Sequence, residues 1–199
     1  MTRMHSLMTP LLMAAAMSGC RAGMPTQPEE LLPLVDGQVV KMRCGTMPAV
    51  DVVFRGPKER GSMWEVEFPK VGREGRLILC VSVVNGDLQL HLLGYDHGAM
   101  ALAESITLGP QQGESPPKSD GVTTVKEAEH IQVRVHTEVE EGPFGSGEKK
   151  ERALRIDLLT EAEESSSPWI SLWLVRGKGI VRYGRWSGNA MRVYERVVE

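Results

Sequence analysis

The chain has 199 residues, of which 41% are hydrophobic and 25% charged, with a formal net charge of −3 at neutral pH. That length and apolar content suit one domain with a real core and exclude a disordered chain. The near-neutral balance gives no basic footprint for nucleic acid, and the three cysteines contain no CxxC pair that would signal zinc.

Arg3 precedes an apolar segment running from Leu7 to Met17. An export signal needs about 7–15 such residues and a spanning helix roughly 20, so this segment fits export. Met17-Ser18-Gly19-Cys20 follows at once. The tetrad resembles a bacterial lipobox, with Met where Leu is commonest. The resemblance implies cleavage before Cys20 and acylation of that cysteine. Each buried CH₂ contributes about 0.8 kcal/mol, so several acyl chains together anchor firmly in a membrane. Arg21, rather than Asp, stands next, which resembles an outer-membrane address. The competing reading is an ordinary signal cleaved after Ala14-Ala15-Ala16, with Cys20 left as a thiol. The expected layout is a signal peptide over 1–19, a lipidated tether over 20–36 and a folded domain over 37–199.

Pro25, Pro28 and Pro33 give the tether its extended character, and Pro33 stops any helical turn begun at Glu29. From Gly37 onward, apolar residues recur at every second position, the mark of half-buried strands. Val39 to Met42 and Val50 to Phe54 come first. Trp64-Glu65-Val66-Glu67-Phe68 alternates up to Pro69. Leu77 to Val84 is nearly all apolar and predicts a central buried strand. Asn85-Gly86 tolerates positive φ, so it predicts a hairpin into Asp87 to Leu92. Gly109 to Gly121, rich in proline and glycine, reads as a surface loop. Ile131, Val133 and Val135 mark another strand. Glu140 to Lys150 reads as a second exposed loop. Leu154, Ile156 and Leu158 share one face, and Glu161 to Ser167 reads as a polar spacer. Ile170, Leu172 and Leu174 form the next set, with Trp169 and Trp173 on the opposite face. Gly177-Lys178-Gly179 and Ser187-Gly188-Asn189 are turns leading into Ile180 to Tyr183 and Met191 to Val198.

No apolar pattern of helical period persists over three turns. Ten to twelve short strands between turn signals argue for an all-β domain, a sandwich or small barrel. The expectation is an antiparallel, jelly-roll-like β-sandwich. Cys44 and Cys80 are the pair left after Cys20. Export permits one bridge between them, and two buried thiols are the alternative, because Cys80 lies inside an apolar run.

Trp64 to Phe68, the charged turn Lys70 to Arg76, Leu77 to Val84, Gly86 to Leu92, Tyr95-Asp96-His97-Gly98 and His130 to Val135 follow one another with short connections. This stretch, roughly residues 45–160, is similar to bacterial pre-peptidase C-terminal domains. Those domains usually carry an acidic residue before the first aromatic strand, where this chain has Ser62-Met63. The resemblance implies a non-catalytic binding or stabilising sandwich module, in some cases associated with calcium or polymeric ligands.

No catalytic constellation emerges. His91, His97, His130 and His136 show no metal-ligand spacing. Asp87 and Asp96 are weighed as calcium ligands against turn residues that cap their own backbone. Ser62, Ser82 and Ser105 lack a nucleophile elbow, and the Gly142 to Gly147 loop lacks the strand and helix context of a phosphate loop. No cofactor is expected. Trp169, Trp173, Arg182, Arg185, Trp186 and Arg192 cluster near the C-terminus, where basic residues outnumber acidic ones. Trp and Arg are enriched at binding hot spots, so these six are the candidate partner-binding residues. A solvated strand face is the plain alternative. The expected function is a non-enzymatic outer-membrane lipoprotein, an accessory or binding subunit of an envelope assembly for secretion, motility or adhesion. A glycan- or peptidoglycan-binding lipoprotein and an unrecognised hydrolase are the alternatives.

Overall fold

Alternation of apolar and charged side chains produces twelve strands among the described residues. The computed structural model describes residues 29–57, 62–71, 75–95, 98–113, 118–126, 128–144, 150–162, 165–187 and 190–198. The expected signal peptide, Cys20 and the tether up to residue 28 lie outside them.

The strands are β1 (Val39–Arg43), β2 (Val50–Arg55), β3 (Trp64–Phe68), β4 (Leu77–Val84), β5 (Asp87–Tyr95), β6 (Gly98–Pro110), β7 (Lys118–Val125), β8 (Ala128–Pro143), β9 (Lys150–Ala162), β10 (Ser165–Val175), β11 (Gly179–Ser187) and β12 (Ala190–Arg196). Each pairs with its neighbours in sequence, and β1 pairs antiparallel with β12, so the sheet closes into a barrel. The expected jelly-roll-like sandwich is therefore corrected to an up-and-down barrel. The physical reason is that period-two alternation specifies one buried face per strand. It does not say whether that face meets a second sheet or its own sheet curled round.

The predicted hairpin forms: Asn85 and Gly86 take φ of 54° and 88°, as a two-residue turn closing a right-twisted hairpin requires. Two expected loops are shorter than their composition suggests, because strands run into both ends of each. β6 runs to Pro110 and β7 starts at Lys118, while β8 runs to Pro143 and β9 starts at Lys150.

The interior is filled by apolar side chains, among them Met42, Phe54, Phe68, Leu90, Ile156 and Ile170. Tyr183 and Tyr194 stack with ring centroids 4.5 Å apart, and Phe68 meets Tyr183 edge-on at 5.1 Å. Lys41, Arg43, Asp51 and Arg134 point outward into solvent.

Antiparallel order puts the turns after β4, β6, β8 and β10 at one end, called proximal here because the N-terminal segment enters there. Leu31 and Leu32, expected in the tether, are instead 1% and 4% exposed and belong to the core. Gln111, just past β6, holds them. Its Nε2 donates to the Leu32 carbonyl at 2.7 Å, and its Oε1 accepts from Leu32 N–H at 3.2 Å. Leu31 N–H donates to the Gln111 carbonyl at 2.7 Å, and Gly177 N–H to that of Glu30 at 2.8 Å.

Cys44 and Cys80 are not bridged. Cys44 follows β1 and packs on the core, whereas Cys80 lies within β4 beside Glu65 of β3. Three strand spacings of about 4.8 Å separate β1 from β4, well beyond the Cα separation of under about 7 Å that a disulfide tolerates.

Candidate functional site

The barrel carries a second apolar cluster on its outer wall: Phe144, Ala153, Trp173, Val175 and Val181, with Met191 against them. A bulge creates it. Trp173 pairs with Arg182, but Leu174 pairs with Ile180, which leaves Val181 as the extra residue on β11. The bulge shifts the phase of alternation. Val181 and Arg182 thus both join the outer wall, while Tyr183 turns into the core.

Trp173 is the hub. Its Nε1–H donates to Glu140 at 2.8 Å. Arg155 lies 5.3 Å from its ring centroid and Arg182 5.7 Å, and Arg182 also sits 5.2 Å from the Phe144 ring. Cation–π contacts of this kind contribute about 0.5–2 kcal/mol as solvent is withdrawn. The arginines are positioned in turn by carboxylates. Arg155 pairs with Glu138 at 3.3 Å and Asp157 at 3.1 Å, and Arg182 with Glu195 at 2.7 Å. Ser171 donates to Asp157 at 2.5 Å. The result is a rigid, charge-braced patch with Trp173 only 6% exposed.

Beside it, the wall opens. Trp186 pairs with Met191, and Gly184 with Val193. Trp186 is 40% exposed and Val193 36%. Gly184 makes room for the methionine, since a Cβ there would lie 2.6 Å from Met191 Sδ.

Of the six predicted residues, the five whose side chains are described do not form one surface. Trp173 and Arg182 form the braced patch, and Trp186 is the exposed aromatic next to it. Arg185 shares the inward phase of Tyr183 and donates from Nη1 to the Gly75 carbonyl at 2.7 Å, across the distal end. Arg192 is its cross-strand partner and shares that face. Trp169 belongs to β10, and its side chain lies outside the described set. Sequence reasoning missed Phe144, Arg155, Glu140 and Met191. The two-residue spacing of Arg155 and Asp157 was the available signal for one wall of the patch.

Elsewhere, Ser82 and His91 share a hydrogen bond of 2.6 Å. Ser82 is 2% exposed, so a substrate carbonyl has no approach to its hydroxyl. Burial holds the His91 pKa below its usual value and likewise lowers that of Arg176. Asp120 and His136 pair at 2.5 Å across β7 and β8. Among the described residues, no group of three or more His, Cys, Asp or Glu converges as a metal would need. Asp96 and His97 lie outside those residues.

No family model and no curated protein matches the chain. Among solved structures it is similar to a Bacteroides fragilis protein described as exported and of YmcC-like fold. Their identity is 14%, the TM-score 0.41, and the match covers 84% of this chain and 97% of that one. It is also similar to a protein from Parabacteroides distasonis described as a lipoprotein, at 13% identity and a TM-score of 0.38, covering 85% of this chain and 97% of that one. Neither likeness carries the functional argument, and the expected pre-peptidase C-terminal sandwich gives way to the barrel.

Proposed function

We propose that the chain is a non-enzymatic lipoprotein of the outer membrane that serves as a binding subunit of an envelope assembly. A protein partner docks on the wall of β11 and β12 at Trp186, Met191 and Val193. The observation that carries this reading is the exposure of Trp186 beside a patch already locked by Arg155 and Arg182. A half-exposed Trp on a rigid wall, flanked by apolar neighbours and charged groups, has the make-up of an interface anchor. The same geometry disfavours a sugar platform, because the arginines already occupy the ring of Trp173.

The test is affinity capture of the full lipidated chain from detergent-solubilised envelopes, repeated with Trp186→Ala and Val193→Asp. The expected result is a stoichiometric partner lost in both variants while their melting temperatures stay within about 2 °C of the parent. A partner retained by both variants would move the interface elsewhere. Retention on polysaccharide resin, abolished by Trp186→Ala, would favour the glycan alternative.

A further inference from the structure

The seam between β6 and β7 leaves an open strand edge on each side. Beyond Leu102↔Val125 the two strands share no registered pair, although β6 continues to Pro110 and β7 reaches back to Lys118. Each is laddered on its other edge, β6 to β5 and β7 to β8. In an antiparallel sheet a strand aims about half of its N–H and C=O groups at each neighbour. Glu104 N–H is met by the Thr123 hydroxyl at 3.1 Å. From Ser105 to Gly109 no β7 residue stands in register. At about 3.3 Å per residue that edge is roughly 17 Å long.

A groove of about 580 Å³ runs along the seam. Its floor is Ile106, 5% exposed, against Gly121. Val122 stands on its β7 side, 53% exposed. Open edges are templates for another strand, because the main-chain groups recruit a partner backbone. The lining sets the chemistry of that strand. Asp87, Glu104 and Asp120 line the groove, and no cation does so among the described residues. His136 takes Asp120, whereas Asp87 and Glu104 form no ion pair among the described residues. Alternate side chains of an added strand lie on the outer face, beside Glu104 and Val122. Lysine or arginine suits that face, its charge on the carboxylate and its methylene stem over the valine. An acidic strand would set like charges side by side. We propose that the seam of β6 and β7 takes an extended, lysine- or arginine-bearing segment of a partner protein as an added strand. The seam lies nearly opposite β11 and β12 in the barrel, so this site is separate from the Trp186 wall.

The test is binding of a fluorescein-labelled decapeptide alternating lysine and valine to the full chain in detergent, read by anisotropy and by hydrogen exchange of the complex. Affinity is expected to fall at least about tenfold when glutamate replaces lysine, or when alternate peptide nitrogens are methylated to remove the donors of one edge. Glu104→Lys should weaken binding severalfold and Glu104→Gln less, both with the parent's melting temperature. Amides of residues 105–109 should exchange about tenfold more slowly in the complex, with those of β11 and β12 unchanged. A lysine peptide that does not bind, equal affinity for the glutamate or methylated peptides, or protection confined to β11 and β12 would overturn the assignment. Protection of residues 105–109 that grows with protein concentration in the absence of peptide would give the edge to a second copy of this chain and overturn the partner strand. The peptide changes decide the matter even where a protein variant fails to fold.

Discussion

His91 sits where β5 slips its register against β4, between Leu90 and Leu92, with Ser82 at 2.6 Å. Burial disfavours its charged form and lowers its pKa below 6.5. Between that lowered value and about 6.5, the unfolded chain binds more protons than the folded one, so stability rises with pH across the window. The contribution is intact above about pH 6.5 and is lost as pH falls through it. Urea midpoints at pH 5.5 and 7.5 should therefore show a larger acid loss in the parent than in His91→Gln. Equal losses would remove His91 from the acid response. The tryptophans divide in a similarly testable way. Trp173→Ala empties the hub of the outer patch and should cost about 3–5 kcal/mol in chemical denaturation. Trp186→Ala removes a half-exposed ring and should stay within about 0.5 kcal/mol. Similar costs for the two would mean that Trp186 is packing rather than surface.

The N-terminal segment behaves as an extra element of the barrel, although its sequence looks like linker. Gln111 stands in for a strand, donating to one backbone group of Leu32 and accepting from the other. Gln111→Ala leaves both groups buried and unpaired, at about 1–3 kcal/mol each, so a loss of about 2–6 kcal/mol is expected from denaturant unfolding. A loss under about 0.5 kcal/mol would show that the segment is held by its leucines alone. Nothing in the sequence announces this clamp, because its partner is 79 residues away and it stands in a proline- and glycine-rich stretch. Strands were legible wherever one face is apolar, as at Trp64 to Phe68, and the Asn85-Gly86 turn was legible from its φ requirement. The end of β8 and the start of β9 were not, because Glu140, Glu141 and Lys150 belong to the charged end of a ladder and read as loop. The candidate site was legible in its residue types but not in its faces. The bulge at Val181 reverses the phase of β11, and alternation counted from Ile180 would send Arg182 inward and Tyr183 out.

At the scale of the whole barrel, the pattern is apolar inside and charged outside, the inverse of a membrane-spanning barrel with its apolar outer band and polar lumen. A closed sheet is as cooperative as its weakest seam, and here the seams are unequal. β8 and β9 run in register from Gln132↔Glu161 to Pro143↔Lys150 without a break. Among the described residues, β6 and β7 share a single registered pair, Leu102↔Val125. Lys126 N–H adds a bond to the Ala101 carbonyl at 2.9 Å, and Glu104 N–H turns to the Thr123 hydroxyl at 3.1 Å. Beyond that point side-chain packing replaces the ladder. Gly121 lets Ile106 close the gap, since a Cβ there would lie 2.8 Å from Ile106 Cγ2. Local opening draws on regions with few backbone bonds, so the barrel should open first here. Amides of residues 103–108 should exchange at least about tenfold faster than those of residues 133–139 in native-state hydrogen exchange. Gly121→Ala, which pushes Ile106 out of the gap, should widen that difference without speeding exchange in β8. Uniform protection around the barrel would mean that the Ile106 packing closes the seam as firmly as a ladder of hydrogen bonds.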